Sequence, residues 1–108
     1  MAAAAIHPGE HLGEELKTLD MSAAELARKI SVPTNWVTQI LNGRRGVTGD
    51  TALRLGQWFG SSARFWLNLQ AAYDIRTAEG YASNQYSQVE VTSTQLTGGQ
   101  WVGPAVRT

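Results

Sequence analysis

Residues 22–43, SAAELARKISVPTNWVTQILNG, decide the fold. Ser22 with Glu25 three residues on, ahead of Leu26 and Ile30, forms a capping box, because hydroxyl and carboxylate each satisfy the other residue's orphan backbone amide. A helix of about two turns starts there and ends at Ile30-Ser31-Val32. Pro33 follows, and proline is tolerated at the first position of a helix, where its missing N–H has no intrahelical acceptor. Val37, Ile40 and Leu41 then supply the next apolar stripe, and Asn42-Gly43 stops it.

Two short helices joined by a tight turn, the second apolar inside and small and polar outside, form a helix-turn-helix. On a helical wheel Asn35, Thr38, Gln39 and Asn42 oppose the apolar stripe, with Thr34 at the N-terminal edge. Asn and Gln can pair bidentately with adenine and Thr can touch a thymine methyl, each good contact discriminating by about 1–3 kcal/mol. A merely solvated face would usually carry Lys and Glu, and this one carries neither. Trp36 sits at the boundary of the two faces, which leaves open packing beside the first or second helix and lying against a sugar-phosphate strand. Arg44 and Arg45, between Gly43 and Gly46, are placed to reach phosphates and set register, or else to serve as flexible loop cations. The amides at Ser22 and Ala23 open the second helix and offer a phosphate further donors.

Outward from this stretch the helical pattern continues. Pro8, Leu12, Leu16 and Leu19 predict a first helix, broken at Asp20-Met21. Thr48 caps a fourth, whose apolar face is Ala52, Leu53, Leu55, Trp58 and Phe59 and whose stop is Gly60. Ser62 caps a fifth carrying Phe65, Trp66, Leu69, Ala72 and Tyr73. Five helices thus fill residues 8 to about 78. Arg64 is mildly unfavourable near the start of its helix. From Gly80 the composition turns to Ser, Thr, Gln, Asn and Gly. Val89 and Val91 alternate with polar residues, so residues 79–108 form either a tail without order or one with a short strand around 88–96. The expectation is an all-α chain: one five-helix domain over 1–78, then an irregular or partly extended tail.

The 108 residues suit one modest core and carry a formal net charge of zero. That neutrality hides an asymmetry. Arg28, Lys29, Arg44, Arg45, Arg54 and Arg64 stand against Asp50 alone over residues 28–64, while Glu10, Glu14, Glu15, Asp20 and Glu25 stand against Lys17 over residues 1–27. A basic island of this kind is the footprint of a face that meets phosphates. With no cysteine there is neither a disulfide framework nor a cysteine-based zinc site. The apolar start MAAAAI lacks basic flanks and stops at His7, so no signal peptide or membrane span is expected, and the chain should act in the cytoplasm. An enzyme would have to rest on His7, His11, Glu14 and Glu15, a spacing able to hold a metal on one helix face. No nucleophile with a partner base and no phosphate loop accompanies them, so the two His more simply cap or solvate the first helix, and no catalytic residue, metal or cofactor is expected.

The stretches IHPGEHL, MSAAELARKI, ILNGRRGVTGDTALRLG and FWLNLQAAYDI, within residues 6 to about 76, together resemble the HigA-type, VapI-like antitoxins of the Xre superfamily. That resemblance implies a five-helix, lambda-repressor-like domain that dimerises, binds a palindromic operator, represses its own operon and neutralises a HigB-type, RelE-like mRNA-cleaving toxin. It places Thr34, Asn35 and Gln39 at base-contacting positions, puts Thr38, Asn42 and Arg44 at or near backbone-contacting ones, and makes the helix bearing Phe65, Trp66, Leu69 and Tyr73 the dimerisation helix. Trp36 departs from the polar or basic residue common in the family, and Arg64 from an acid. The tail after Arg76 does not resemble the family's charged extension. The rivals are a stand-alone or phage-type repressor without a toxin, which shares the fold and the DNA chemistry, and a protein-interaction module, whose support is the neutral net charge.

Overall fold

The computed structural model of the chain describes residues 6–90 and 92. Five helices follow one another: α1 (Pro8–Leu19), α2 (Ala23–Ile30), α3 (Thr34–Leu41), α4 (Gly49–Phe59) and α5 (Ala63–Ser87). The all-α expectation holds among these residues. Contacts divide the chain into Met1–Ala78 and Glu79–Thr108.

Each helix start up to α4 is built locally. His7 caps α1, its Nδ1 accepting from Gly9 N–H at 2.9 Å. At α2 the Ser22–Glu25 box closes in both directions, at 3.1 and 2.8 Å. Pro33 is the N-cap of α3 rather than its first helical residue. Thr48 caps α4, and Gly60 ends it with a φ of 74°. Asp20 and Ser31 take the left-handed conformation at the ends of α1 and α2, and Gly43 does so just past α3.

The core gathers Leu12 and Leu16 of α1, Leu26, Ala27 and Ile30 of α2, Val37 and Ile40 of α3, Val47 of the following loop, Ala52 and Leu55 of α4, and Trp66 of α5. α3 packs on both α1 and α2. Its contact with α1 is close enough that a Cβ on Gly9 would collide with the backbone carbonyl of Ile40.

Three expectations are corrected. Leu53 is 67% and Trp58 36% exposed. Both lie about 110° around the helix from the stripe of Ala52, Leu55, Gly56 and Phe59 that meets the core, so they flank the buried face instead of forming it. Leu19, at the last turn of α1, is likewise exposed. The fifth helix does not stop near residue 78 but runs on to Ser87 through Gly80, whose φ is not positive and which therefore keeps a helical backbone at a cost of about 1 kcal/mol relative to alanine. The strand expected around 88–96 falls mostly outside the described residues, and Gln88 and Val89 form a turn and bend, with Gln88 N–H donating to Gln85 O and Val89 N–H to Tyr86 O.

Candidate nucleic-acid interface

The candidate surface is the outer face of α3 with the loop that follows it. Val37 and Ile40 anchor the helix by burial, and the wheel geometry leaves Thr34, Asn35, Thr38 and Asn42 exposed, with Trp36 and Gln39 half-buried. Asn35 thus stands ready for an external partner, while Thr38 turns its hydroxyl back to Thr34 O at 3.2 Å.

The loop past α3 is tied down through two carbonyls at the end of the helix. Arg44 N–H and Arg45 N–H both donate to Gln39 O, at 2.8 and 3.2 Å, and Gly43 N–H donates to Ile40 O. The positive φ at Gly43 is what lets the chain fold back on the helix end. Arg44 remains exposed, whereas Arg45 is half-buried. The Arg45 guanidinium lies 4.8 Å from the Trp36 ring centroid, and its Nε–H donates to Gln39 Oε1 at 3.0 Å. Trp36 therefore packs against the loop after its own helix, and Arg45 is a fixed member of the surface, not a flexible loop cation. From the other side Gln70 of α5 accepts from Val47 N–H at 2.7 Å, and its amide lies against Gly46 so closely that a Cβ there would meet it at 3.1 Å. Asp74 sets the direction of that amide by accepting from Gln70 Nε2 at 2.9 Å.

Two donors assigned from sequence are used internally. The Ser22 amide is spent on Glu25, so at the start of α2 only Ala23 and its successor retain open N–H groups, beside a carboxylate. Those hydrogen bonds from Ser22 hold the Glu25 carboxyl below the usual range. Arg54, counted in the basic island, turns inward: its Nη1 donates to Ile30 O at 2.7 Å and Ser31 O at 3.2 Å, and its Nε pairs with Asp50 at 2.9 Å. Lys29 is drawn over the Trp58 ring. Arg28, Lys29, Arg44 and Arg64 are the exposed cations left of that island.

On α5 the helical period turns Trp66, Leu69 and Tyr73 toward the rest of the domain. Trp66 is 1% exposed, with ring edges of His11 and Phe65 against it, so it has no surface to give a second chain. Leu69 packs on the core and Tyr73 meets the His7 ring. Of the four residues expected at a dimer contact only Phe65 is exposed, while Leu67, Ala71 and Ile75, one turn apart on the opposite side, form an apolar stripe the sequence reading missed.

His7 is buried and its Nδ1 is occupied by the α1 cap. Burial pushes its pKa down, against the pull of Asp74 and Glu10. Its neutral form is the one that accepts from Gly9. His11 reaches Glu15 at 3.3 Å instead of joining His7. Among the described residues no three potential ligands come together as a metal site, and no helix is long and apolar enough to cross a membrane.

No family model matches the chain. Virulence-associated protein I of Dichelobacter nodosus is 50% identical over 76 residues, which are 69% of this chain and 70% of that protein. Among solved structures, an addiction module antidote protein of a HigA family from Coxiella burnetii superposes with a TM-score of 0.81 at 51% identity, covering 83% of this chain and all of that one. The Pseudomonas aeruginosa antitoxin HigA, solved with the higBA promoter, gives 0.76 at 42% identity, covering 80% and 96%. None of these is named as an enzyme. At such identities, over nearly the full length of the solved chains and on the same helical frame, the chain belongs to the HigA-type, VapI-like family of the Xre helix-turn-helix superfamily.

Proposed function

We propose that this protein binds operator DNA as a two-fold dimer, represses its own operon from the cytoplasm and neutralises a HigB-type, RelE-like mRNA-cleaving toxin encoded beside it. The observation that carries the DNA part is the exposed polar face of α3 on a frame shared with an antitoxin solved with its promoter. In this reading α3 of each protomer enters a major groove, the two about 34 Å apart along the duplex. Thr34, Asn35 and Gln39 face the bases. Thr38, Asn42, Arg44 and the open amide of Ala23 face phosphates, which positions the protein without reading sequence. The dimer contact falls on α5, along Leu67, Ala71 and Ile75, apolar side chains that a second copy would cover.

Fluorescence anisotropy with the DNA upstream of the gene, at several salt concentrations, tests the first half. A Thr34→Ala/Asn35→Ala variant should lose preference over a scrambled duplex while keeping a salt-dependent background. Equal affinity of the unaltered protein for both duplexes would overturn it. Co-expression tests the second half: growth arrest by the neighbouring frame, relieved by this chain, is expected. A harmless neighbour would leave a repressor with no toxin.

A further inference from the structure

Two arginines follow α3, and the fold treats them differently. Arg44 is exposed, but Arg45 is held three times: by its own amide on Gln39 O, by Nε–H on Gln39 Oε1, and by the Trp36 ring beneath its guanidinium. Trp36 and Gln39 are three residues apart and so neighbours on one side of the helix. The contact also fixes which way the Gln39 amide points, since only its oxygen can accept from Nε–H.

This arrangement changes what Gln39 can read. A free glutamine pairs with adenine by donating to N7 and accepting from the N6 amino group. Here Oε1 already accepts from a cation, which disfavours a second N–H donor approaching it, while the Gln39 NH2 and the terminal guanidinium N–H groups of Arg45 remain as donors. The base edge that matches a donor-only surface in the major groove is guanine, which offers acceptors at both N7 and O6. We propose that Trp36 is a positioning residue for base recognition: by holding Arg45 against Gln39 it makes this part of α3 select guanine where an unconstrained glutamine would select adenine. The inference rests on α3 entering the groove, as assigned above.

Binding-site selection from a duplex pool with a randomised centre tests it, with each variant's fold checked by circular dichroism. The unaltered protein should enrich guanine at one position per half-site, identified as the position whose preference Gln39→Ala abolishes, and a duplex with adenine there should bind about tenfold more weakly. Trp36→Ala should bring that ratio toward one and Trp36→Phe, which keeps a ring face, should restore it. Arg45→Lys retains the charge without the Nε–H donor and should behave as Trp36→Ala does. Adenine enriched at the Gln39-dependent position, or a guanine preference unchanged in folded Trp36→Ala or Arg45→Lys, overturns the inference alone. A pool in which the folded protein enriches nothing overturns operator binding, and this inference with it.

Discussion

Helices α2 and α3 are both eight residues long and pack on each other, yet they are held by different means. α2 is fastened at both ends by side chains: its own Ser22–Glu25 box at one end, and at the other the guanidinium of Arg54 from α4 on the carbonyls of Ile30 and Ser31. Its sequence, AAELARKI, is mostly strong helix formers. α3, TNWVTQIL, has β-branched Thr34, Val37, Thr38 and Ile40 at half its positions, and its cap residue Pro33 has no side-chain acceptor. It is secured by what surrounds it: α1 against Ile40, α2 along its buried side, and the loop amides folded onto Gln39 O. The supporting helix draws on its own cap and helix-forming residues with one side chain from α4 added, whereas the helix assigned to the groove devotes its positions to outward chemistry and depends throughout on tertiary contact.

The harshest test of that contrast is Gly9→Ala. The added methyl must push α1 off the α3 backbone, and overpacking of this kind should cost about 3 kcal/mol, seen as a lowered urea midpoint, with DNA affinity falling alongside as α3 loses its support. A midpoint within experimental error of the parent would mean α3 does not need α1. Arg54→Met comes next: it leaves two carbonyls at the end of α2 without their charged donor and, since the pair with Asp50 is largely solvent-screened, should cost about 1.5 kcal/mol. Operator affinity at saturating folded protein should be unchanged, because Arg54 faces inward; a weakened complex would return it to the DNA surface.

The two N-caps give a finer contrast. Ser22→Ala should cost about 1 kcal/mol, whereas Pro33→Ser should cost less than half of that or stabilise, since it supplies the acceptor α3 lacks. Equal losses would remove the asymmetry between the helices. The smallest effect is a pH dependence at the α1 cap. The unfolded His7 titrates near its ordinary value of 6.5 and the folded one below it, because burial disfavours the imidazolium. Between those two values the unfolded chain takes up a proton that the folded chain refuses. The contribution of His7 is therefore complete above 6.5 and is lost as pH falls through the folded pKa. His7→Asn, which can still cap Gly9, should show a shallower loss of melting temperature on acidification; identical slopes would dismiss the buried imidazole as the cause.

Much of the fold was legible because its signals are local. The Ser22–Glu25 box, Thr48 and Gly60 act within one turn of the residues they serve, so residue type and spacing suffice to find them. The face of α3 was legible for the same reason, as the side opposite Val37 and Ile40. The state of that face was not. Gln39 and Arg45 were each read as available, and the bond between them, with Trp36 beneath, depends on how the loop folds back through Gly43. Leu53, Trp58 and Trp66 show the limit of apolar patterning, which says that a face will be buried but not which of two adjacent large side chains lies at its centre. Gly80 misled because glycine is compatible with a helix when φ stays negative, and its cost of about 1 kcal/mol does not by itself end one.

By itself the sequence determined five helices, most of their caps and the helix-turn-helix, because helix propensity, capping and apolar period are set by residues within four positions of one another, while the family was legible only as a resemblance of whole motifs. Only the tertiary structure decided that Arg54 serves α2 rather than the outer surface, that Gln70 steadies Val47 from 23 residues away, that Trp66 is core while Leu67 and Ile75 are surface, and that Arg45 is locked to Gln39. Each of those depends on which distant groups arrive beside a side chain. That is a matter of how the helices pack, and no local spacing in the chain carries it.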